Sequence, residues 1–405
     1  MTFELLKEEE FAKFLSSHPL KNFMQTPEIG ALRKKSGWSL YYVGVKDQGK
    51  IIAATMLLSH LRRFSVYEFY APRGLLVDYE DEETLSFFVS NLKNFIKEKK
   101  GYILRIDPYY IKKERDINGD VVEGGIDHTK ALSNLYSLGF KKSAKNEQIS
   151  WSFSLDLDRE LDDILKDMRS FTRRSIKKAE KNHIVIRDAE YEELSLVKEI
   201  LDATCNRKHF ANRNLEYFQN LYELLGKKGN ARFILADIHL KELLEELTKT
   251  VENEKSIISK MEKEGSRDAK IATHRTTLAQ AEEKMSEVSS LKEKYGDVVS
   301  VSSGVFITYG DEVLYLFGGN REEFMHFGCP HFVQWEMIRY AKANGFHRYN
   351  FYGISGNFDK EDPSYGIYDF KKGFTGYVEE LIGEHELCIM PIYCFLFKIL
   401  HAIKK

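Results

Sequence analysis

The same order of secondary-structure elements occurs twice along the chain. In the first half, two β-rich runs joined by a turn are followed by a third strand, an amphipathic helix and a fourth strand, at residues 40–45, 51–58, 66–71, 84–96 and 102–106. The second half repeats this order at residues 233–238, 301–308, 312–317, 332–341 and 348–352. A chain of 405 residues is also long for one hydrophobic core. We therefore predict an α/β (α+β) protein with two domains of one duplicated fold.

Inside the second copy, a segment of helical periodicity separates two of the predicted strands. Apolar residues recur at steps of three and four on both sides of a Gly265-Ser266 turn: Leu240, Leu244, Leu247, Val251, Ile258, Met261, Ile271, Leu278, Ala281, Met285 and Val288. Glu254 breaks the first run, and the second has a gap near His274. The pattern predicts an antiparallel coiled-coil hairpin at residues 240–295, on the order of 35–40 Å long. Two ordinary surface helices are the alternative, although charged outer positions favour a projecting arm.

Composition excludes several classes of protein. Apolar residues make up 43% and charged residues 30%, and no apolar run reaches the length of a membrane-spanning helix. The acidic N-terminus does not resemble a signal peptide, so we expect a cytoplasmic protein. The net charge of −2 argues against a protein that wraps duplex DNA. We expect no metal site and no cofactor, and we interpret all four cysteines, which lack CxxC spacing, as reduced thiols: Cys205, Cys329, Cys388 and Cys394.

One predicted helix is strongly basic. Its cationic side chains follow steps of four, and two more widen the same face: Arg169, Arg173, Lys177 and Lys181, with Arg174 and Lys178. Like charges at this spacing cost roughly 0.2–0.5 kcal/mol per pair. Phosphates of an RNA backbone or of a pyrophosphate would remove that cost. Equally, the face could be solvated and balanced by the preceding Asp162, Asp163 and Asp167.

Three further segments combine glycine, aromatic and basic residues. Residues 208–218 mix basic and aromatic side chains where a helix begins, with Asn214 as a candidate N-cap. Residues 352–358 place glycines after a strand, which would let a ligand approach closely. Residues 365–374 place Lys371 and Lys372 in an aromatic setting that suits an anion or oxyanion. We interpret the last segment as extended, so that only one of its lysines faces a site. Ordinary loops and surface lysines are the alternative for all three segments.

Together these blocks resemble the Fem family of peptidoglycan-bridge aminoacyltransferases from Gram-positive bacteria. The matching stretches lie at residues 23–27 (FMQTP), 70–74 (YAPRG), 105–109 (RIDPY), 173–178 (RRSIKK), 334–338 (QWEMI), 348–356 (RYNFYGISG) and 365–374 (YGIYDFKKGF). The resemblance covers essentially the whole chain, including the helical hairpin.

The resemblance implies a fold and an activity. We expect two tandem GNAT-like acyltransferase domains, the first at residues 1–150 and closed by residues 376–405, the second at residues 151–239 and 296–375. The coiled-coil arm at residues 240–295 is similar to a tRNA-binding element. The implied reaction moves glycine, alanine or serine from aminoacyl-tRNA to the stem-peptide lysine amine, or the growing bridge, of a lipid II-like precursor.

The resemblance also implies roles for individual residues. Lys35, Arg213 and Tyr217 correspond to contacts with the phosphates and sugar of the muropeptide, and Arg73 to a further substrate contact. Asp107 corresponds to an acidic residue near the acceptor amine. Phe370 and Lys371 correspond to the pair that lines the tRNA ester, with Lys371 facing the oxyanion. The basic residues Arg169, Arg173, Arg174, Lys177 and Lys178 are then candidates for tRNA phosphate contacts.

Two other functions compete with this interpretation. An acyl-CoA-dependent N-acyltransferase would share the fold, but the chain has no good match to the Q/R-x-x-G-x-G/A pyrophosphate loop. A non-enzymatic coiled-coil interaction protein would not need lysines and aromatics after a glycine-rich strand. The C-terminal run at residues 388–403 predicts an amphipathic helix after Pro391, with Lys404 and Lys405 behind it. That helix would dock peripherally on the inner membrane face or pack onto the first domain.

Overall fold

The computed structural model describes residues 1–144, 146–208 and 210–403 of the chain. The strands are β1 (Thr2–Leu5), β2 (Ser39–Asp47), β3 (Lys50–Leu61), β4 (Tyr67–Ala71), β5 (Gly101–Ile106), β6 (Ile111–Glu114), β7 (Lys141–Lys142), β8 (Trp151–Asp156), β9 (Ile184–Asp188), β10 (Ala231–His239), β11 (Val298–Tyr309), β12 (Glu312–Asn320), β13 (Arg348–Gly353), β14 (Tyr377–Leu381) and β15 (His385–Cys388). The helices are α1 (Glu8–Ser17), α2 (Pro27–Lys35), α3 (Glu82–Glu98), α4 (Thr129–Ser137), α5 (Leu161–Asp167), α6 (Ser170–Lys181), α7 (Leu194–Lys208), α8 (Leu215–Leu224), α9 (Leu240–Lys263), α10 (Asp268–Tyr295), α11 (Cys329–Ala343), α12 (Tyr365–Lys372) and α13 (Pro391–Ile403).

Two mixed sheets carry the duplicated fold. The first has the order β1-β2-β3-β4-β5-β15-β7, and the second β6-β14-β8-β13-β12-β11-β10-β9. In the first sheet, β4 and β5 are parallel neighbours joined through α3; in the second, β12 and β13 are parallel neighbours joined through α11. Parallel neighbours require such a crossover, and both halves place it after a hairpin. The predicted fold class is confirmed.

The two halves exchange strands. Strand β6 follows β5 of the first sheet in sequence. It nevertheless pairs with β14 of the second sheet, where Glu379 lies opposite Glu114. The C-terminal strand β15 inserts between β5 and β7 of the first sheet, with Leu387 opposite Leu104. The polypeptide therefore crosses between the sheets more than once.

A shared apolar core joins the halves. One buried cluster packs α6 and α11 on the second sheet, and another packs α3 on the first. A third contains residues from both halves, including Phe11, Met56 and Tyr70 with Phe218 and Phe233. Because fully buried aromatic side chains from each half meet in this cluster, the two sheets are held in one packed body.

The helical arm projects from a hairpin. Its two helices, α9 and α10, connect the antiparallel neighbours β10 and β11, whose last register pair is His239 with Val298. Buried residues recur along both helices: Leu240, Leu243, Leu247, Val251, Ile258, Ile271, Ala281 and Val288. The two polar residues that interrupt the apolar pattern in the sequence contact each other. The imidazole Nδ1 of His274 lies 2.7 Å from a carboxylate oxygen of Glu254. The arm therefore keeps its register across both polar positions.

The expectation of four free thiols was wrong for one pair. Cys388 at the end of β15 and Cys394 in α13 form a disulfide, with their Cα atoms 6.3 Å apart. The chain reverses at Met390 and Pro391 between them, which brings two residues without CxxC spacing into disulfide range. Cys205 and Cys329 are free and buried. None of the helices in the described ranges has an apolar stretch long enough to cross a bilayer.

Candidate active site

Asp107 lies at the end of β5, where the two halves meet. Its side chain is almost fully buried, and it accepts hydrogen bonds from the Tyr70 hydroxyl at 2.7 Å and from the Arg73 backbone N–H at 2.6 Å. Burial raises the pKa of the Asp107 carboxyl, and the nearby Arg73 guanidinium partly opposes that rise. The site thus holds a carboxylate that is more basic than an exposed one and is fixed in orientation.

Arg73 is a buried cation that connects separate segments of the first half. Its backbone is left-handed, with φ at 53°, and a Cβ on the following Gly74 would lie 2.5 Å from the Thr55 hydroxyl oxygen. Its guanidinium donates to the carbonyl of Ile149 at 3.1 Å and lies 5.6 Å from the centre of the Tyr109 ring. Only 3% of Arg73 is exposed, so its charge acts mainly on neighbouring protein groups.

Tyr352 belongs to the same cluster, and the sequence analysis assigned it no role. It adopts φ at 66° inside β13, a rare conformation for a bulky residue, and its hydroxyl donates to the side-chain oxygen of Gln148 at 3.0 Å. Burial raises the pKa of the Tyr352 phenol, while the adjacent Arg73 lowers it. The sequence feature that could have indicated a role for Tyr352 is an aromatic residue directly before a glycine, Gly353, at the end of a strand.

The acceptor-side candidates lie along α2 and α8. Arg213 is exposed just before α8 and lies 5.4 Å from the centre of the Tyr217 ring. Asn214 caps this helix by accepting from the Tyr217 N–H at 3.0 Å, as the sequence predicted. Lys35, at the end of α2, donates to the Asn220 side-chain oxygen on α8 at 2.6 Å. His209, within the basic and aromatic segment singled out in the sequence, lies outside the described residues.

Lys371 has the most unusual environment among the predicted site residues. Only 6% of it is exposed, and its Nζ donates to the Gly353 carbonyl at 2.5 Å. Burial lowers the pKa of this amine to about 7. Because Gly353 directly follows Tyr352, Lys371 is attached to the same end of β13 as the cluster around Arg73.

The extended conformation expected around Lys371 was wrong. Residues 365–372 form α12, whose end is held beside α6 by the bond from the Arg169 backbone N–H to Gly373 and by the Arg169–Asp369 ion pair. The two neighbouring lysines still diverge, because one helical residue turns by about 100°. Lys372 points away, donating to the Asn118 side chain at 2.6 Å and lying 5.3 Å from the centre of the Tyr368 ring.

Phe370 joins an aromatic patch beside Lys371. Its ring centre lies 4.9 Å from that of His331 and 5.4 Å from that of Phe374. Burial lowers the pKa of His331 to about 4, so this imidazole is neutral near pH 7. The exposed Phe171 of α6 also packs against His331, with ring centres 5.5 Å apart. The patch offers an apolar wall next to a titratable amine.

The basic helix adjoins α12. Arg169 precedes α6 instead of lying within it; its backbone N–H donates to Gly373 at 3.0 Å and its guanidinium to the Asp369 carboxylate at 2.6 Å. Arg173 is half-buried and donates to the Met168 carbonyl at 2.9 Å. The three remaining candidates are exposed: Arg174, Lys177 and Lys178. This face continues from the end of α12 towards solvent.

The acidic residues before α6 do not neutralise this face. Asp163 pairs with Lys166 at 3.0 Å, and Asp167 pairs with Arg159. Arg173 and Lys177 instead line a cleft of about 420 Å³ together with Lys166, Trp335 and one acid, Glu180. The alternative of a charge-balanced helix therefore receives no support from these contacts, and an anionic partner fits the exposed cations.

The groups described here suit acyl transfer to an amine. Asp107 has a carboxylate of raised pKa, Lys371 has a buried amine, and Phe370 belongs to an aromatic wall. The end of α12 borders a basic surface at Arg169. An activated acyl group and an acceptor amine would need positioning and oxyanion stabilisation more than strong bond-breaking chemistry.

Comparisons with known proteins agree over the full length. The sequence model of the FemAB family matches residues 6–405. Aminoacyltransferase FemA of Staphylococcus aureus strain MRSA252 is 31% identical over 418 residues, which cover 100% of this chain and 99% of FemA. FemA of the bovine strain RF122 / ET3-1 is 31% identical over 424 residues, with the same coverage of 100% and 99%.

Solved structures show the same architecture. The crystal structure of FemX superposes with a TM-score of 0.76 at 24% identity and covers 98% of this chain and 99% of its own. A tandem GNAT protein from the clavulanic acid biosynthesis pathway superposes with a TM-score of 0.51 at 10% identity, covering 96% of this chain and 98% of its own. At these identities the structural similarity shows the fold alone. That fold agrees with two GNAT-like halves.

Proposed function

Because this chain belongs to the FemAB family and is an aminoacyltransferase, we propose that it moves an amino acid from a charged tRNA to a peptidoglycan precursor. The acceptor is the stem-peptide lysine amine or the growing bridge of a lipid II-like molecule, and the donated residue is glycine, alanine or serine. The observation that carries this proposal is the contact between α6 and α12. It joins an exposed basic face to the buried Lys371 through Arg169 and Asp369.

The donor side follows from this contact. Phosphates near the acceptor end of a tRNA would lie on the exposed cations of α6 and remove their mutual repulsion. The terminal aminoacyl ester would then reach the wall formed by Phe370 and His331. In this proposal the arm enlarges the protein surface that binds tRNA. Lys284, near the base of the arm, lies close enough to Lys178 for their charges to interact.

The proposed acceptor side is formed by residues of α2 and α8. Arg213 and Lys35 are the proposed phosphate ligands, and the Tyr217 ring, against which Arg213 stacks, is the proposed sugar platform. Arg73 is the least suited of the predicted substrate residues to direct contact, because its guanidinium is buried against Ile149 and Tyr109. Its proposed role is to hold Asp107 and Tyr352 in place.

The reaction requires four atoms to be held in position: the acceptor nitrogen, the ester carbon, the carbonyl oxygen and the ribose oxygen. The acceptor nitrogen attacks the ester carbon and loses a proton, for which Asp107 is the proposed base because burial has raised its pKa. The carbonyl oxygen gains negative charge, and the protonated Lys371 amine donates to it. Collapse breaks the bond to the ribose oxygen; the proton that Asp107 accepted passes to this oxygen, and the tRNA leaves with a free hydroxyl.

The proposal is tested by supplying lipid II, tRNA and one labelled amino acid at a time with its synthetase. We expect incorporation of glycine, alanine or serine that is abolished by ribonuclease. Acetyl-CoA serves as the competing acyl donor in a parallel reaction. Transfer from acetyl-CoA, or incorporation that survives ribonuclease, would rule out the tRNA-dependent reaction.

A further inference from the structure

The C-terminal helix α13 exposes an apolar stripe. Ile392, Phe395 and Ile399 are exposed by 74%, 64% and 41%, and at about 100° per residue they fall within one narrow arc of the helix. The opposite face is the one that packs on the first sheet, where the Phe397 ring stacks on Tyr102 at 4.5 Å. The exposed stripe is therefore not the packing face of this helix.

A turn of the first sheet places further exposed apolar side chains beside α13, next to its packing face. Phe64, between β3 and β4, is 53% exposed, and its ring lies 6.4 Å from Tyr393 and 5.9 Å from Phe397 of α13. Phe64 and Ser65 both adopt left-handed backbone conformations, with φ at 65° and 53°. Strain of this kind at a bulky residue persists where the surrounding structure fixes it, and here it presents an aromatic ring at the surface. Leu61 beside it is 54% exposed.

Cations surround these apolar side chains. Arg63 lies in the turn next to Phe64, and Lys398 lies in α13 between Phe395 and Ile399. Lys99 and Lys100 are exposed at the same end of the sheet, because the Lys100 carbonyl accepts from Tyr67 N–H where β4 begins. Lys404 and Lys405, which the sequence adds to this end of the chain, lie outside the described residues. The result is an apolar centre with a mostly basic margin, in which Glu386 is an acid that lines the same cleft as Phe395 and Lys398.

We propose that this surface, defined by Leu61, Phe64, Ile392, Phe395 and Ile399 with the cations around them, docks onto an anionic lipid bilayer. The aromatic and aliphatic side chains enter the boundary between headgroups and acyl chains, and the cations contact lipid phosphates. A single amphipathic helix of this length binds a membrane weakly. Two adjoining elements, α13 and the Phe64 turn, supply a larger apolar area than either alone.

A second copy of the chain is a poorer occupant of the same surface. A symmetric dimer would place the basic margin of one copy against the same margin of the other, and the like charges would repel. An anionic bilayer neutralises that margin instead. The inference rests on the proposed function only in that a lipid-linked acceptor would give the docking a purpose.

Flotation of the full-length protein with vesicles tests the proposal. Vesicles of phosphatidylglycerol and phosphatidylcholine are compared with phosphatidylcholine alone, at low and high salt. We expect the protein to bind the anionic vesicles, and the triple variant F64S/F395S/I399S to bind at least about tenfold less tightly. R63E/K398E should lose the preference for anionic vesicles. The matched control is Ile126→Ser, which changes an apolar side chain that is 47% exposed elsewhere in the first half.

Two further measurements separate the alternatives. Transfer to a water-soluble, nucleotide-linked acceptor should be equal in the triple variant and the wild type, which shows that the variant is folded. Vesicle binding by a wild-type protein that transfers no amino acid would refute the proposed function and leave the docking intact. Absence of binding to anionic vesicles, equal binding by the triple variant, or a wild-type dimer that this variant dissociates would each overturn the docking proposal.

Discussion

At the scale of single residues, the burial of the Lys371 amine has a thermodynamic consequence. An unfolded lysine keeps its proton up to about pH 10.5, whereas the folded pKa is about 7. Between these values the unfolded chain binds more protons than the folded one, so this residue makes the free energy of unfolding rise with pH. Below pH 7 both states are protonated, and the full cost of burying the charge is present.

We therefore expect Lys371→Met to stabilise the protein, most strongly at pH 6 to 7. The gain in melting temperature should shrink as the pH approaches 10, because the wild-type amine is then buried without its proton. Thermal unfolding of both proteins across this range provides the measurement. Lys372→Met is the control: its amine bonds to Asn118 and is less buried than that of Lys371, so its gain should be smaller. A gain independent of pH would mean that Lys371 is not the buried charge.

The same substitution should impair transfer. Loss of one oxyanion donor costs roughly 2.7–4 kcal/mol of transition-state stabilisation, on the order of 100- to 1000-fold in rate. We expect Lys371→Met to show that loss in single-turnover transfer from charged tRNA, and Lys372→Met to remain near wild type. The reverse result would exchange the roles of the two lysines. If neither variant is slowed, the substrates themselves supply the catalysis.

Arg213 is proposed to act in binding of the muropeptide and not in the transfer step. Its guanidinium is exposed, and its described contact is the ring of Tyr217. We expect Arg213→Ala to raise KM for the muropeptide by about tenfold or more, with kcat and the KM for charged tRNA little changed. Steady-state kinetics with each substrate varied in turn tests this. An equal loss in both KM values would remove Arg213 from the acceptor site.

At the scale of secondary-structure elements, the arm contains a hydrogen-bonded histidine–carboxylate pair inside an apolar seam. Glu254 is the more buried partner, with 13% of its side chain exposed, and His274 bonds to it at 2.7 Å. Removing the imidazole leaves a largely buried carboxylate without that partner, which costs about 1–3 kcal/mol. We expect His274→Ala to lower the free energy of local opening by this amount, measured by amide hydrogen exchange across residues 254–274.

The neighbouring exposed pair provides the control for this measurement. Arg275 and Glu262 lie on the outside of the same hairpin, with side-chain exposures of 64% and 45%. Exposed pairs contribute at most about 1 kcal/mol. Arg275→Ala should therefore change exchange less than His274→Ala does. Equal effects would show that the seam does not depend on the Glu254 pair.

These elements also show how far sequence reasoning reaches. The arm was predictable because its periodicity is local, and even its two interruptions were visible. Their pairing was not, because it depends on the register of two helices across the turn. The helix α12 was missed because glycines and aromatic residues around Lys371 favour an extended segment, whereas packing beside α6 decides otherwise. The left-handed Tyr352 depends on tertiary contacts with Gln148 and Arg73.

At the scale of the whole molecule, the outer arm should be separable from the body. Leu240, Leu247 and Val288 belong to the main core, whereas Val251 and Ile271, which are buried within the arm, do not. Replacing residues 251–281 by a short glycine-serine turn should leave the main thermal transition nearly unchanged. If the arm binds tRNA, KM for charged tRNA should rise at least about tenfold while muropeptide binding persists. An unchanged KM would exclude this role.

The exchange of strands between the sheets has a consequence for biosynthesis. Since β15 lies between β5 and β7, the first half cannot close its sheet when its own residues leave the ribosome. The gap persists through synthesis of the entire second half, with the edge of β5 open to wrong partners. A nascent chain stalled before residue 385 should therefore hold a protease-sensitive, chaperone-binding first half, and its protection should arise abruptly once residue 388 clears the exit tunnel.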